Sequence, residues 1–171
     1  MIPHHQVAID MCKLMKPFTK NHFLQSIYRD MIYNQTSEIN YMENLLRHLP
    51  NMSAVNSEVM FRDSELKTLL SLNKYSKPKN YVCDPLFFDP HNHAEHMKHM
   101  KQSDRSFLEH MISHHQVAID MSKRLLQYTI NPSLTKLCYD IIISQRSEIF
   151  TMNHLLDYLI TYDLDFLPIT L

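Results

Sequence analysis

The protein has 171 residues, which suits one compact domain with its own core better than several large ones. It contains no glycine and no alternating β-branched runs bounded by turn residues, so a sheet protein is not expected. The formal net charge is −1 and the basic residues are scattered, which gives no electrostatic argument for nucleic acid as a partner.

The N-terminal segment, the apolar segments and the cysteines indicate where in the cell the protein is expected. No basic N-terminal stretch leads into an apolar run, and no apolar segment approaches the roughly 18 residues needed to cross a bilayer. The three cysteines form no CxxC pair, so neither a disulfide framework nor a zinc knuckle is indicated. We therefore expect a soluble, intracellular protein without a membrane partner.

Prolines mark the first two predicted helices. The first spans about 3–16 and ends before Pro17. The second spans about 21–49 and ends before Pro50. The short stretch between them predicts a helical hairpin.

A longer connection leads to a second hairpin. A connecting helix is predicted at 57–75, followed by a loop with three prolines at 77–90. The third core helix is predicted at about 104–129. Asn131 provides a cap and Pro132 a first-turn residue for the fourth, at about 132–162.

Two segments near the N-terminus recur in the second half of the chain. MIPHHQVAIDMCK at 1–13 matches MISHHQVAIDMSK at 111–123 in eleven of thirteen positions. QTSEINYMENLL at 35–46 matches QRSEIFTMNHLL at 145–156 in seven of twelve. The two motifs are separated by the same number of residues in both halves of the chain, as expected for a duplicated helical hairpin.

These observations predict the fold class. We expect one all-α domain over 1–171, in which hairpin repeats at 1–50 and 107–162 are joined by a connecting segment at 51–106. Two such hairpins associate most simply as a ferritin-like four-helix bundle with a long crossover and a pseudo-twofold axis.

Histidine and methionine share one face of the first and third helices, at 100° per residue. The residues on these faces are Met1, His4, His5, Ala8, Met11, Cys12 and Met15, and then Met111, His114, His115, Ala118, Met121, Ser122 and Leu125. The second and fourth helices each carry an apolar stripe that is broken by one glutamine and one glutamate. The broken stripes contain Gln35, Glu38 and Met42 in one helix, and Gln145, Glu148 and Met152 in the other.

A glutamate inside an apolar stripe needs a partner, because an unpaired buried carboxylate costs several kcal/mol. The polar groups predicted on the facing helix are the paired histidines. Each glutamate is therefore expected to meet one histidine of its own hairpin: His4 or His5 for Glu38, and His114 or His115 for Glu148.

Two chemistries satisfy this pattern. In the first, the glutamine completes a closed hydrogen-bond network that fixes helix register. In the second, imidazole nitrogens and thioether sulfurs bind a metal ion, and glutamate ligates the ion or orients the histidines. Met15, Met31 and Met60 are expected to be core filler. The predicted metal-site residues are His4, His5, Met11, Gln35, Glu38, Met42, His114, His115, Met121, Gln145, Glu148 and Met152.

The segment HNHAEHMKHM at 91–100 adds a further cluster of donors. If the third helix extends back this far, four of its residues fall in line with the His/Met face. They are His93, His96, Met97 and Met100, which form a candidate accessory metal site or loading path. The alternative is a solvated linker that happens to be rich in histidine.

The paired motifs HHxxAIxM and QxxEIxxM resemble the bacterial ferritin-like family catalogued as domain of unknown function 305. The resemblance covers both ends of the chain and leaves about 50–106 uncovered. The resemblance implies a four-helix, ferritin-like fold, and some members of the family are associated with copper handling. It also implies that the motif residues are the site residues already given.

Three departures limit this resemblance. Many bacterial members are exported, whereas no export signal is seen here. Nothing ahead of the first motif matches the FLEH that precedes Met111, so the first helix lacks a turn that the third has. Tyr41 and Thr151 stand where the histidine of a di-iron Glu-x-x-His pair would be, so ferroxidase chemistry does not carry over.

The sequence therefore favours a small metal-binding protein that stores or passes an ion. Copper is the first choice, because thioether and imidazole suit Cu(I) and imidazole suits Cu(II), with zinc or iron next. The alternative is a metal-free helical scaffold or interaction module with buried His–Glu networks. A redox enzyme is the third hypothesis, although no separate catalytic motif supports it. A homo-oligomer or an unidentified protein partner is compatible with the sequence.

Overall fold

The computed structural model describes residues 1–48 and 103–164. Within these ranges there are four helices and no strands: α1 Ile2–Met15, α2 His22–His48, α3 Asp104–Leu126 and α4 Pro132–Thr161. The all-α four-helix bundle is therefore confirmed. The predictions for 57–75, 77–90 and 91–100 lie outside the described residues.

The helices pack as two antiparallel hairpins, α1 with α2 and α3 with α4, which meet along α1 and α3. Thr19, in the turn after α1, donates a 2.8 Å hydrogen bond from its hydroxyl to Asp104 at the start of α3. The C-terminal end of α1 therefore lies beside the N-terminal end of α3. None of these four helices is both long and apolar enough to cross a membrane.

The same turn precedes α2 and α4. Asn21 accepts hydrogen bonds from the backbone N–H groups of Phe23 and Leu24, while its own N–H donates to the Thr19 hydroxyl. Asn131 makes the equivalent three bonds at the corresponding place in the second hairpin. Each asparagine thus satisfies N–H groups that a helix start would otherwise leave without partners.

Removing one of these caps gives a first prediction. We expect Asn131→Ala to lower the free energy of unfolding by about 0.5–2 kcal/mol, as measured by urea denaturation, because two backbone N–H groups lose their acceptor. Asn131→Gly is the matched control, and we expect it to cost only a few tenths of a kcal/mol. Equal losses in the two variants would contradict the capping role.

The core is divided between the two ends of the bundle. The larger cluster surrounds Tyr28 and Phe107, which are both fully buried and whose rings meet edge-on with centroids 4.5 Å apart. A smaller cluster includes Met42, Leu45 and Leu137 at the opposite end. A cavity of about 320 Å³ adjoins this smaller cluster. Among the described residues, the bundle is therefore tightly packed at one end and incompletely filled at the other.

Candidate metal centre

Four histidines meet in the interior of the bundle. His4 and His5 lie on α1, His114 and His115 lie on α3, and all four side chains are fully buried. The rings of His4 and His114 stack with centroids 3.6 Å apart and 25° between their planes. The two His-His motifs, which are far apart in sequence, therefore form one continuous cluster of imidazoles.

The second histidine of each pair binds a glutamate of its own hairpin. His5 Nε2 lies 2.6 Å from Glu38 Oε2, and His115 Nε2 lies 2.5 Å from Glu148 Oε2. The expected His–Glu contacts are thus present, and the structure selects His5 and His115 over their neighbours. The stacked histidines, His4 and His114, occupy the space between the two ion-paired ones.

The other oxygen of each glutamate is bound from the opposite hairpin. Asn34 Nδ2 donates to Glu148 Oε1 at 3.3 Å, and Ser144 Oγ donates to Glu38 Oε1 at 3.4 Å. Asn34 and Ser144 occupy equivalent positions in the two repeats, because each directly precedes the motif glutamine. Sequence reasoning missed both. The exchange of partners between hairpins is what an approximate twofold relation between them would produce.

Glu148 remains a carboxylate in this setting. Burial alone raises its pKa, but the hydrogen bond and charge of His115, with smaller contributions from Asn34 and His5, more than offset that effect. The net result is a pKa below the ordinary glutamate value. A negative charge is therefore held beside the imidazoles, where it can compensate a bound cation.

One ring nitrogen of His5 and one of His115 have no hydrogen-bond partner in the described part of the chain. Within the described residues, His5 Nδ1 and His115 Nδ1 are buried and make no hydrogen bond. A neutral imidazole that donates its Nε2–H to a glutamate carries a lone pair on Nδ1. This is the arrangement in which metal-binding histidines are found, with the carboxylate fixing the tautomer.

Gln35 and Gln145 do not complete a hydrogen-bond network. Both are buried, and neither their amide oxygens nor their amide nitrogens have partners among the described residues. The hypothesis that the glutamines complete a closed hydrogen-bond network is therefore wrong for the described residues. Buried amides without partners cost about 1–3 kcal/mol each, so their presence at matching positions requires another explanation.

The four methionines predicted as ligands fall into two pairs at opposite ends of the bundle. Met11 and Met152 belong to the larger core cluster and are completely buried. Met42 and Met121 line the cavity at the other end. Met15 and Met31 are core residues as predicted, whereas Met60 lies outside the described residues.

The donors are not gathered as a finished site. In 1–48 and 103–164, no three side chains among His, Cys, Asp and Glu converge closely enough to hold a metal ion as they stand. The buried Nδ1 atoms nevertheless fit a metal in their chemistry, because a neutral imidazole whose Nε2–H binds a carboxylate presents its Nδ1 lone pair to an ion. Side-chain movement would be needed to bring the two Nδ1 atoms to one ion.

The fold and this centre define an all-α four-helix protein with a buried imidazole–carboxylate cluster. Residues 1–156 match the family model described as "Domain of unknown function (DUF305)". The chain belongs to this family.

Three known proteins are similar to this chain. The uncharacterized protein L153 of Acanthamoeba polyphaga mimivirus is 48% identical over 54 residues, which are 32% of this chain and 36% of that protein. CopM in its Ag-bound form from co-crystallization is 28% identical, with a TM-score of 0.59 and coverage of 92% of this chain and 90% of CopM. CopM has also been solved in Cu(I)-bound and Cu(II)-bound forms.

The third is a fragment of this family from Deinococcus radiodurans, whose crystal structure has the same fold. It is 22% identical, its TM-score is 0.58, and the match covers 93% of this chain and 91% of the fragment. The helical architecture is therefore common to this chain, CopM and the Deinococcus fragment. The chain spans about a third of the length of the mimivirus protein.

Proposed function

We propose that this protein binds a metal ion at the four-histidine centre and stores the ion or hands it on. The observation that carries the proposal is the pair of buried Nδ1 atoms on His5 and His115, which have no hydrogen-bond partner in the described part of the chain. A buried lone pair without a partner is costly, and a metal ion would satisfy it.

Copper is the ion that the donors favour, with zinc or iron as the competing candidates. Imidazole nitrogens bind both Cu(I) and Cu(II). CopM, which is similar over most of this chain, is known in Ag-, Cu(I)- and Cu(II)-bound forms. That likeness supports copper here by analogy of fold.

The residues of the centre divide by role in this proposal. His5 and His115 would ligate through Nδ1, and the stacked pair His4 and His114 would supply further imidazole donors. Glu38 and Glu148 would fix the ligating tautomers and balance the charge of the ion. The amides of Gln35 and Gln145 are available as weaker oxygen donors.

Handling of the ion suits the centre better than catalysis. The histidines are fully buried, so the centre offers no evident place for an organic substrate. We propose further that the two hairpins are copies of one unit, since the His–Glu contacts, the turns and the cross-hairpin bonds of the first hairpin recur at equivalent positions in the second.

The metal content of the purified protein tests the proposal. The protein is prepared without an affinity tag or chelator, exposed to copper, desalted and analysed for elements by mass spectrometry. We expect near-stoichiometric copper in the parent. We expect the copper of the centre to be lost in a four-histidine variant, with His4→Ala, His5→Ala, His114→Ala and His115→Ala, whose helicity has been checked by circular dichroism.

The control removes histidines that lie outside the centre. His22, His48 and His154 are exposed, and their combined replacement by Ala should leave the bound copper unchanged. Equal amounts of bound copper in the parent and the four-histidine variant, or an equal loss from the control, would overturn the assignment of the site. Zinc or iron displacing copper in a competition would keep the site but change the ion.

The alternative function is a metal-free scaffold, favoured by one observation. The His–Glu pairs and the stacked rings already form contacts without an ion. In that case the parent and the four-histidine variant would hold the same amount of metal after exposure to copper, and the variant would only be less stable. The same samples therefore distinguish the two functions.

A further inference from the structure

Sulfur is concentrated around the cavity at the end of the bundle where α1 begins. The cavity has a volume of about 320 Å³, and Met1, Met42, Met121 and Cys138 contribute to its wall. The rest of the wall is mostly aliphatic. Leu46 and Leu125 also line the cavity and are 62% and 38% exposed, so the space reaches the surface of the described bundle. The cavity is thus an apolar recess with four sulfur-bearing residues and an opening.

The opposite end of the bundle is packed differently around the equivalent methionines. The repeat counterparts of Met1, Met42 and Met121 are Met111, Met152 and Met11, and all three are completely buried. They belong to the same core cluster as Phe107 and Leu108. These two residues lie ahead of the histidines on α3, at the packed end of the bundle.

Cys138 accentuates this difference between the ends. Its counterpart in the first hairpin is Tyr28, whose ring packs against Phe107. At the cavity end, therefore, a small thiol replaces a large ring, and none of the described residues that line the space is aromatic. One methionine cluster is enclosed by rings, while the other borders a recess together with a thiol.

The chemistry of this wall selects a particular class of ligand. Thioether and thiolate sulfurs are soft donors that prefer Cu(I) and related monovalent ions to hard or strongly hydrated cations. Methionine has three rotatable bonds, so its sulfur can move to an ion without movement of the helix. Aliphatic walls exclude water and so disfavour cations that retain a hydration shell.

We propose that this cavity is a second metal site, which takes a monovalent soft cation such as Cu(I) or Ag(I) on the sulfurs of Met42, Met121 and Cys138. Met1 lines the same space and is the fourth candidate donor. The site differs from the four-histidine centre in donor type, and none of the described residues that line it is a histidine. It does not depend on that centre binding metal.

Binding at Cys138 has a consequence for protons. Burial raises the pKa of the Cys138 thiol to about 11, so the thiol is protonated at neutral pH. A cation that binds the thiolate must displace this proton into solution. Occupation of the site therefore releases one proton per ion.

Silver titration of the full chain tests the proposal without a redox step. Ag(I) is added to the parent and to Met42→Leu/Met121→Leu, and bound ions are counted by native mass spectrometry. Leucine keeps the apolar volume and removes the sulfur, so little stability should be lost. We expect the double variant to bind one Ag(I) fewer than the parent. Cys138→Ser, measured in parallel, should also weaken this site and abolish the proton release that accompanies its filling.

The matched control is Met11→Leu/Met152→Leu, which makes the same change at the packed end. It should keep the parent's number of bound Ag(I) ions. Equal Ag(I) binding by Met42→Leu/Met121→Leu and the parent would overturn the proposal, and so would an equal loss in the control. The four-histidine variant separates the two sites, because it should still bind Ag(I) in the cavity even if its histidine centre is lost.

Discussion

Replacing Phe107 by alanine is expected to lower the free energy of unfolding by about 3–5 kcal/mol, the usual cost of removing a large buried ring. Phe107 is completely buried and its ring contacts the Tyr28 ring edge-on. It also belongs to the larger core cluster, which contains Met11 and Met152. Urea denaturation followed by circular dichroism measures the change.

The control for this prediction is Leu125→Ala at the rim of the cavity. Leu125 is 38% exposed and borders the incompletely filled space. Its truncation should cost well under half of the Phe107→Ala effect, because less buried surface is lost. If the two substitutions destabilise the protein equally, the two ends of the bundle do not differ in packing as described.

Replacing Glu148 by alanine is expected to cost about 1.5–3 kcal/mol, the range for hydrogen bonds that involve a charged group. The change leaves His115 Nε2 and the Asn34 amide without their acceptor. A double-mutant cycle with His115→Ala isolates the pair. A coupling energy near zero would mean that the His115–Glu148 contact adds nothing to stability.

The same variant gives a test by pH. The folded-state pKa of Glu148 lies below its unfolded value of about 4.5, so the unfolded chain binds more protons as the solution is acidified through this window. The stability that Glu148 contributes is therefore complete above 4.5 and is lost as pH falls through the lower folded value. Between pH of about 6 and 3, the parent should lose more stability than Glu148→Ala. Parallel pH profiles for the two proteins would contradict this.

Much of the fold follows from periodicity and repetition in the sequence. Prolines and the asparagine cap located the ends of the four helices to within about a turn. The repeated motifs placed histidine and glutamate on facing helices, and the need of a buried carboxylate for a partner predicted their contacts. His5–Glu38 and His115–Glu148 confirm that reasoning.

The finer geometry of the centre could not be obtained in the same way. A helical period assigns residues to a face about 120° wide, which includes both members of each His-His pair. The choice of His5 over His4 depends on helix rotation and on rotamers set by all four helices. The stacking of His4 on His114, and the bonds from Asn34 and Ser144, depend on how the hairpins meet.

The cavity illustrates a different limit. Helical periodicity does not indicate which residues border a space at one end of the bundle, because that depends on α1 and α3 running in opposite directions. Only the folded arrangement places Met42, Met121 and Cys138 around one space.

The stacked histidines also couple ion binding to the association of the two hairpins. His4 belongs to one hairpin and His114 to the other, so the imidazole cluster exists only while the hairpins are docked. An ion that bridges the cluster would favour the docked state by its binding free energy, through mass action. Conversely, any event that loosens the docking would weaken the hold of the proposed centre on its ion. Partial separation of the hairpins would then release the ion without a competing ligand of higher affinity.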